Sequence, residues 1–289
     1  MTAVTPFTLP RGSAAVAAAV TALLFGILFA HSAELLVDAW WNDPNSGHGL
    51  LLAPLAIYLA FWKEGRAKDA APQLGLGIFV LLLAVVSRYA ADLAAELFIM
   101  RGSMILAAAG LVICYGGVRQ LMHWWLPFAL LSLSVPIPEV VLNSIALPLQ
   151  FNASKIGASL LSSRGIPILL TGNVIRMPGQ DLFVAEACSG LRSLTALLSL
   201  GVLLGALFLR AWPLRILLIL LTIPIAILIN GVRIFATGFL VYFVSPELGK
   251  GFMHESEGMV MFGGAFLITG LVTWIMSKGE DWYSKRRSA

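Results

Sequence analysis

The chain has 289 residues, of which 59% are hydrophobic and only 12% charged, and its formal net charge is +4. Soluble domains carry about 25% charged residues, so a soluble fold this apolar would lack a surface that water can wet. The few basic residues are scattered and do not alternate with aromatic residues, which argues against a nucleic-acid-binding protein.

Apolar segments that can cross a lipid bilayer recur along the whole chain, although the second and fifth are short. A spanning helix needs about 20 apolar residues. The sequence predicts an all-α polytopic membrane protein with about eight spans, at residues 14–36, 49–62, 73–93, 97–117, 121–136, 187–209, 216–244 and 257–277. No internal repeat or second domain is visible, so residues 1–289 are expected to form a single transmembrane domain.

Basic and acidic residues fall on opposite sides of these predicted spans. Lys63, Arg66 and Lys68 follow the second span, and four more basic residues stand in the segment 278–287. Because cytoplasmic loops are enriched in Lys and Arg, both termini are expected in the cytoplasm. The loops at 37–48, 137–186 and 245–256 are then expected on the outer side.

The long outer segment 137–186 departs from the pattern of spans. Residues 140–163 predict an amphipathic helix at the membrane interface, kinked at Pro148. Residues 166–184 contain Gly/Asn and Pro/Gly turns between apolar residues, which is typical of short strands. We therefore expect a small extracytoplasmic helix and β-hairpin just before the sixth span.

A cysteine stands where this outer segment turns into the sixth span. Cys188, in VAEACSGLRSL, precedes a predicted helix, and Arg192 follows on the same helix face. A helix N-terminus and a nearby guanidinium both lower the pKa of a thiol, so Cys188 is a candidate nucleophile. The alternative is a small buried hydrophobic residue, which is the commoner role of a free cysteine and the one expected for Cys114.

An arginine lies inside the seventh apolar segment. Arg233, in INGVRIFATG, stands about ten residues from the outer end of its helix, or roughly 15 Å deep. A buried guanidinium in a bilayer is costly unless it is paired or hydrated, so such a residue is a functional hypothesis. Asn230 shares its helix face and can orient it. The alternative is an internal salt bridge with Glu186 or Glu257.

A histidine on the same predicted side of the membrane is the third candidate catalytic residue, after Cys188 and Arg233. A lone loop histidine such as His254 is usually just solvated. Together with a cysteine and an arginine, however, it supplies a proton carrier beside a nucleophile and an oxyanion donor. The sequence contains no zinc-type Cys/His spacing and no phosphate-binding loop, so neither a metal site nor a cofactor is expected.

These motifs resemble the exosortase/archaeosortase family. The similarity rests on ACSGLRS, NGVRI and HESEG in this order, and on the earlier WWNDPNSGHGLL, over roughly residues 40–277. The resemblance implies a polytopic membrane enzyme whose Cys/Arg/His site falls on Cys188, Arg233 and His254. It also places His48 near the site, where this residue would orient substrate or simply form a turn between two glycines. Glu186 would support the site from two residues before Cys188.

The resemblance also implies an activity and its partners. Such enzymes recognise exported proteins with a C-terminal sorting signal, made of a short motif (PEP in the commonest class), a hydrophobic helix and a basic tail. They cleave near the motif through a thioester and transfer the product to an acceptor that the sequence does not identify. In bacteria the family accompanies exopolysaccharide production, which implies the inner membrane, with the site facing the periplasm.

Two other classes of function remain open from the residues. A transporter is favoured by the many helices and by Arg88 and Arg233 inside apolar segments, although transporters often show two related halves. A non-catalytic assembly factor for polysaccharide export is the second alternative. Only the enzyme requires Cys188 for its activity.

Overall fold

A computed structural model of the chain describes residues 12–43, 45–178, 180–183, 190–245 and 252–288. These residues are mostly helical, and the chain divides into two compact units, residues 1–137 and 138–289. The single transmembrane domain expected from the sequence stays a prediction.

The described part of the first unit contains five α-helices. An α3–α4 hairpin is the most extensively packed pair, and buried Cys114 of α4 contacts Gly77 of α3, as expected for a packing residue. The helices are α1 Ser13–Asn42, α2 Gly49–Tyr58 with a π-helical extension Leu59–Glu64, α3 Leu74–Leu93, α4 Leu97–His123 and α5 Trp125–Ser134.

Among its described residues, the second unit contains four α-helices and a small sheet. Its elements are α6 Glu139–Ser163, β1 Leu169–Thr171, β2 Val174–Met177, β3 Gln180–Phe183, α7 Gly190–Phe208, α8 Trp212–Phe243 and α9 Phe252–Ser288. The three strands pair antiparallel in the order β1-β2-β3. The strands expected at 166–184 are therefore confirmed, with a third strand added to the hairpin. Ile175, Met177 and Leu182 pack with Leu161 of α6 and Val241 of α8, which seats the sheet on the C-terminal ends of both helices.

Helices α6 and α8 run in the same direction and touch through glycines. A β-carbon added to Gly157 would lie 2.5 Å from Cγ2 of Ile234, and one added to Gly231 would lie 2.6 Å from Cγ2 of Ile156. Helix α6 thus packs lengthwise against a helix long enough to span a membrane. The helix expected at 140–163 is confirmed as a helix: its small residues bury one face, while Val140, Val141 and Ile145 leave the other face exposed and apolar. Its place at the membrane interface stays a prediction.

Among the described residues, five helices are long and apolar enough to cross a membrane: α1, α3, α4, α8 and α9. The count becomes six if α5 and α6 form one bent span. The protein is therefore a mostly helical, multi-pass membrane protein, but the expected eight spans are not confirmed. Helices α2 and α5 have ten α-helical residues each, or about 15 Å, which is half the thickness of a bilayer core.

Candidate functional site

Helix α7 begins part-way along its neighbour α8. The two helices form an antiparallel hairpin in which Gly201 faces Ile219 and Thr222, and Leu194 shares a buried cluster with Ala226. Continuing this pairing to the start of α7 brings Gly190 level with Asn230 and Gly231. The first turn of α7 is therefore recessed by about 18 Å from the end of α8 at Phe243, and it lies less than one turn from the level of Arg233.

Helix α9 runs antiparallel to α8 and is anchored at its far end. The carboxylate of Glu280 accepts hydrogen bonds from the backbone N–H groups of Arg210 and Ala211, at 3.0 and 2.7 Å, and so caps the start of α8. Ala265 lies in the same buried cluster as Ala226. The contact of Glu280 with Ala211 and that of Ala265 with Ala226 align α9 with α8 in the same register. Continued to the start of α9, this register places the backbone of His254 level with Thr237, about 6 Å along the helix axis from Arg233.

Arg233 is held in the interior of the second unit. Arg233 is only 6% exposed to solvent, and the neighbouring Ile234 is fully buried. Thr237 donates a hydrogen bond from Oγ1 to the carbonyl of Arg233 at 3.0 Å. Asn230 lies three residues earlier on the same face of α8. The close glycine contacts with α6 thus fix the backbone that carries this guanidinium.

Most of the chain matches one known protein family. The family model of the transmembrane exosortases matches residues 40–271, which is most of the chain. The chain belongs to the transmembrane exosortase family. No curated protein and no solved structure is detectably similar to it. The matched region of this exosortase begins near the end of α1 and ends within α9.

Three residues of the predicted site of this exosortase lie in helices of the second unit. The backbone of Arg192 lies in the first turn of α7, Arg233 lies in α8, and the backbone of His254 lies in the first turn of α9. Cys188 and Glu186 lie outside the described residues. In the chain, Cys188 stands two residues before the start of α7. The assignment of these residues as a catalytic site stays a prediction.

His48 lies in the other unit of this exosortase, immediately before α2. Its Nε2 donates to the carbonyl of Leu133 at 3.2 Å, and the indole of Trp40 donates to the carbonyl of Ser134 at 2.7 Å. Burial lowers the pKa of His48 below its ordinary value of 6.5. These contacts tie the loop after α1 to the end of α5, and a substrate role for His48 stays a prediction.

Sequence reasoning missed Gln150 of this exosortase. This residue and Asn230 line a small cavity between α6, α7 and α8. An available signal was the row of small residues at Ala146, Ala153 and Gly157, which shares its helical spacing with Gln150. The pairing of this face with Asn230 of α8 depends on residues that are distant in the chain, so the spacing alone does not single out Gln150.

Proposed function

We propose that this exosortase is a membrane cysteine peptidase or transpeptidase that cleaves the C-terminal sorting signals of exported proteins. Cys188 is the nucleophile, Arg233 the oxyanion donor and His254 the proton carrier. The enzyme acts in a bacterial inner membrane with its site facing the periplasm, and its products serve a surface or exopolysaccharide system. The acceptor is a nucleophile that remains to be identified.

The observation that supports this proposal is that α7 and α9 both begin part-way along α8, on either side of Arg233. The first turn of α7, which follows Cys188 in the chain, is level with Asn230 and Gly231 of α8, and the first turn of α9 begins about 12 Å further along the same helix, level with Gly238. A helix N-terminus stabilises a thiolate, and Arg192 in that first turn adds positive charge. A peptide carbonyl beside Arg233 would lie between the levels at which α7 and α9 begin.

The reaction follows from these roles. The Cys188 thiolate attacks the scissile carbonyl, forming a C–S bond, and the resulting oxyanion accepts hydrogen bonds from the Arg233 guanidinium. Protonated His254 donates its proton to the leaving amine as the C–N bond breaks. This leaves a thioester on Cys188, while the hydrophobic helix and basic tail depart. An acceptor amine or water then attacks the thioester carbonyl and forms a new C–N or C–O bond, while neutral His254 takes the proton of that nucleophile. The C–S bond breaks, which releases the acyl product and restores the Cys188 thiolate and protonated His254.

The test uses a cognate substrate that carries a tag at each end. The wild-type enzyme should shorten it, whereas Cys188→Ala should abolish processing and His254→Ala should strongly slow it. Loss of one oxyanion donor typically costs about 100- to 1000-fold in kcat, which is the expectation for Arg233→Ala. Cys114→Ala is the matched control, because Cys114 packs between α3 and α4, and it should retain wild-type processing.

A thiol measurement separates the proposed chemistry from a change in folding. In the wild-type protein Cys188 should react with a polar alkylating reagent below pH 7, while Cys114 should not. Processing at the wild-type rate by a folded Cys188→Ala variant would contradict covalent catalysis. The transporter and the non-catalytic assembly factor would then be the better functions.

A further inference from the structure

A cavity lies between α6, α7 and α8, close to the level of the proposed site. Its volume is about 10 Å³, which is close to the smallest space that admits one water molecule. Ala146, Leu149 and Gln150 line it from α6, Leu194 lines it from α7, and Ala226 and Asn230 line it from α8. All of these side chains are uncharged.

This gap interrupts a helix pair that is otherwise tightly packed. Gly231, directly after Asn230 on α8, meets Ile156, and Gly157, two turns beyond Gln150 on α6, meets Ile234. Both contacts are so close that neither glycine has room for a β-carbon. Protein interiors contain few voids, because an unfilled cavity forfeits contacts on every side. The gap arises because alanine stands at 146 and 226, where a larger side chain would fill it.

Two carboxamides give the cavity a specific polarity. Gln150 and Asn230 each offer two N–H donors and one carbonyl acceptor in an otherwise apolar lining. Carboxamides carry no charge, so they do not compensate a buried carboxylate or ammonium group. The lining therefore suits a group that is small and either apolar or hydroxylated.

The cavity is placed to meet a substrate beside the scissile bond. Asn230 stands three residues before Arg233 on α8, an axial distance of about 4.5 Å, which is less than two residues of extended chain. Helix α6 contains Pro148 and helix α8 contains Pro224, both beside residues that line the cavity. Each proline removes one backbone hydrogen bond from its helix, so both walls can move apart here more easily.

We propose that this cavity is a specificity pocket, which accepts a small uncharged side chain of the substrate next to the scissile bond. The proposal rests on the function proposed above. Gln150 and Asn230 bind the polar atoms of that residue, and Ala146, Leu149 and Ala226 limit its size. The glycine contacts beyond the cavity limit how far the two helices can separate, so the walls can yield enough for a small side chain and larger ones are excluded.

The test changes the size of the pocket and of the substrate residue together. The scissile bond is first mapped by mass spectrometry of the wild-type product. Substrates then carry Gly, Ala or Leu at each of the two positions that flank it. At one of these two positions the wild-type enzyme should prefer Ala over Leu by about 10-fold or more in kcat/KM. A single extra methylene group in an apolar pocket already reduces kcat/KM by about that factor.

Opposite variants of the lining should shift this preference in opposite directions. Leu149→Ala enlarges the pocket and should reduce the preference for Ala over Leu by about 10-fold. Ala146→Val narrows the pocket and should make Gly the preferred residue. Leu200→Ala is the matched control, because Leu200 packs on the same buried cluster as Leu149 and does not line the cavity. It should leave the preference unchanged.

The outcomes distinguish this pocket from the proposed activity. If the wild-type enzyme processes substrate but both lining variants keep the wild-type preference, the pocket is wrong and the peptidase stands. If Leu149→Ala does not fold, as judged by its thermal unfolding in detergent, the result for Ala146→Val decides. If the wild-type enzyme processes none of the substrates, the proposed function and the pocket both fail.

Discussion

The contact of α6 with α8 can be tested by adding one methyl group. In Gly157→Ala the new β-carbon would lie 2.5 Å from Cγ2 and 2.7 Å from Cβ of Ile234. The β-carbon of Ile234 is fixed to its backbone, so rotation of the side chain cannot relieve the clash. Carbon atoms pack best at about 3.5–4.0 Å, and the two helices must therefore separate by about 1 Å.

This separation has a cost that can be worked out. Overpacking typically costs about 1–3 kcal/mol, while alanine gains about 0.5–1 kcal/mol over glycine inside a helix. We therefore expect Gly157→Ala to lower the free energy of unfolding by up to about 2.5 kcal/mol. Arg233 would move with α8, and a displacement of about 1 Å in a catalytic group can cost about 100-fold in rate.

The matched control is the same substitution where there is space. A β-carbon on Gly264 of α9 has nothing within 4 Å, so Gly264→Ala should be neutral or stabilising and should leave processing unchanged. Thermal unfolding in detergent and processing of the tagged substrate measure the two effects. An unfolding midpoint for Gly157→Ala that rises as much as that of Gly264→Ala would refute the close contact, and with it our account of how Arg233 is positioned.

Three further predictions concern the cap of α8, a buried histidine and topology. Glu280→Ala should destabilise the protein by about 0.5–2 kcal/mol, because it leaves the backbone N–H groups of Arg210 and Ala211, immediately before α8, without their carboxylate acceptor. Asp281→Ala should have a smaller effect, since it removes only an exposed ion pair; equal unfolding midpoints would contradict the role of Glu280. Burial lowers the pKa of His48 below 6.5, so its contribution to stability is present above that pH and is lost as the pH falls through the folded-state pKa. His48→Gln should flatten the acid side of the stability profile, and a profile identical to wild type would count against the burial of that ring. Reporter fusions after Lys68 and after Pro178 should report opposite sides of the membrane, and matching signals would exclude the orientation inferred from the basic residues.

Much of the helical pattern follows from local sequence. The spans expected at 73–93 and 97–117 correspond to α3 and the first part of α4. The expected end at 117 coincides with a real break, because Gly117 has a φ of 74° and the helix resumes after it. Helix α5 fell short of its expected length because it begins only at Trp125 and Pro136 follows its end.

The role of α6 could not be derived from its own residues. Hydropathy scores Gly, Ala and Ser as weakly apolar, whereas a helix interface in a membrane uses them because they permit close approach. Gly157 makes sense only beside Ile234, which is distant in the chain. The cavity at Gln150 and Asn230 depends on the same long-range pairing, so no local pattern indicates it. In contrast, Arg233 could be singled out from the sequence, because a charge in an apolar segment is visible without tertiary information.

The parallel pairing of α6 and α8 also constrains how this protein is made. The partner of Gly157 is Ile234, which leaves the ribosome about 80 residues later, or about 4–16 s at typical rates of synthesis. During that interval the small-residue face of α6 has no helix to cover it, and Gln150 has no neighbour in α8. Helices α6 and α8 are far apart in the chain, so they can pair only after both have been inserted. Assembly of the second unit is therefore completed only after α8 has entered the bilayer.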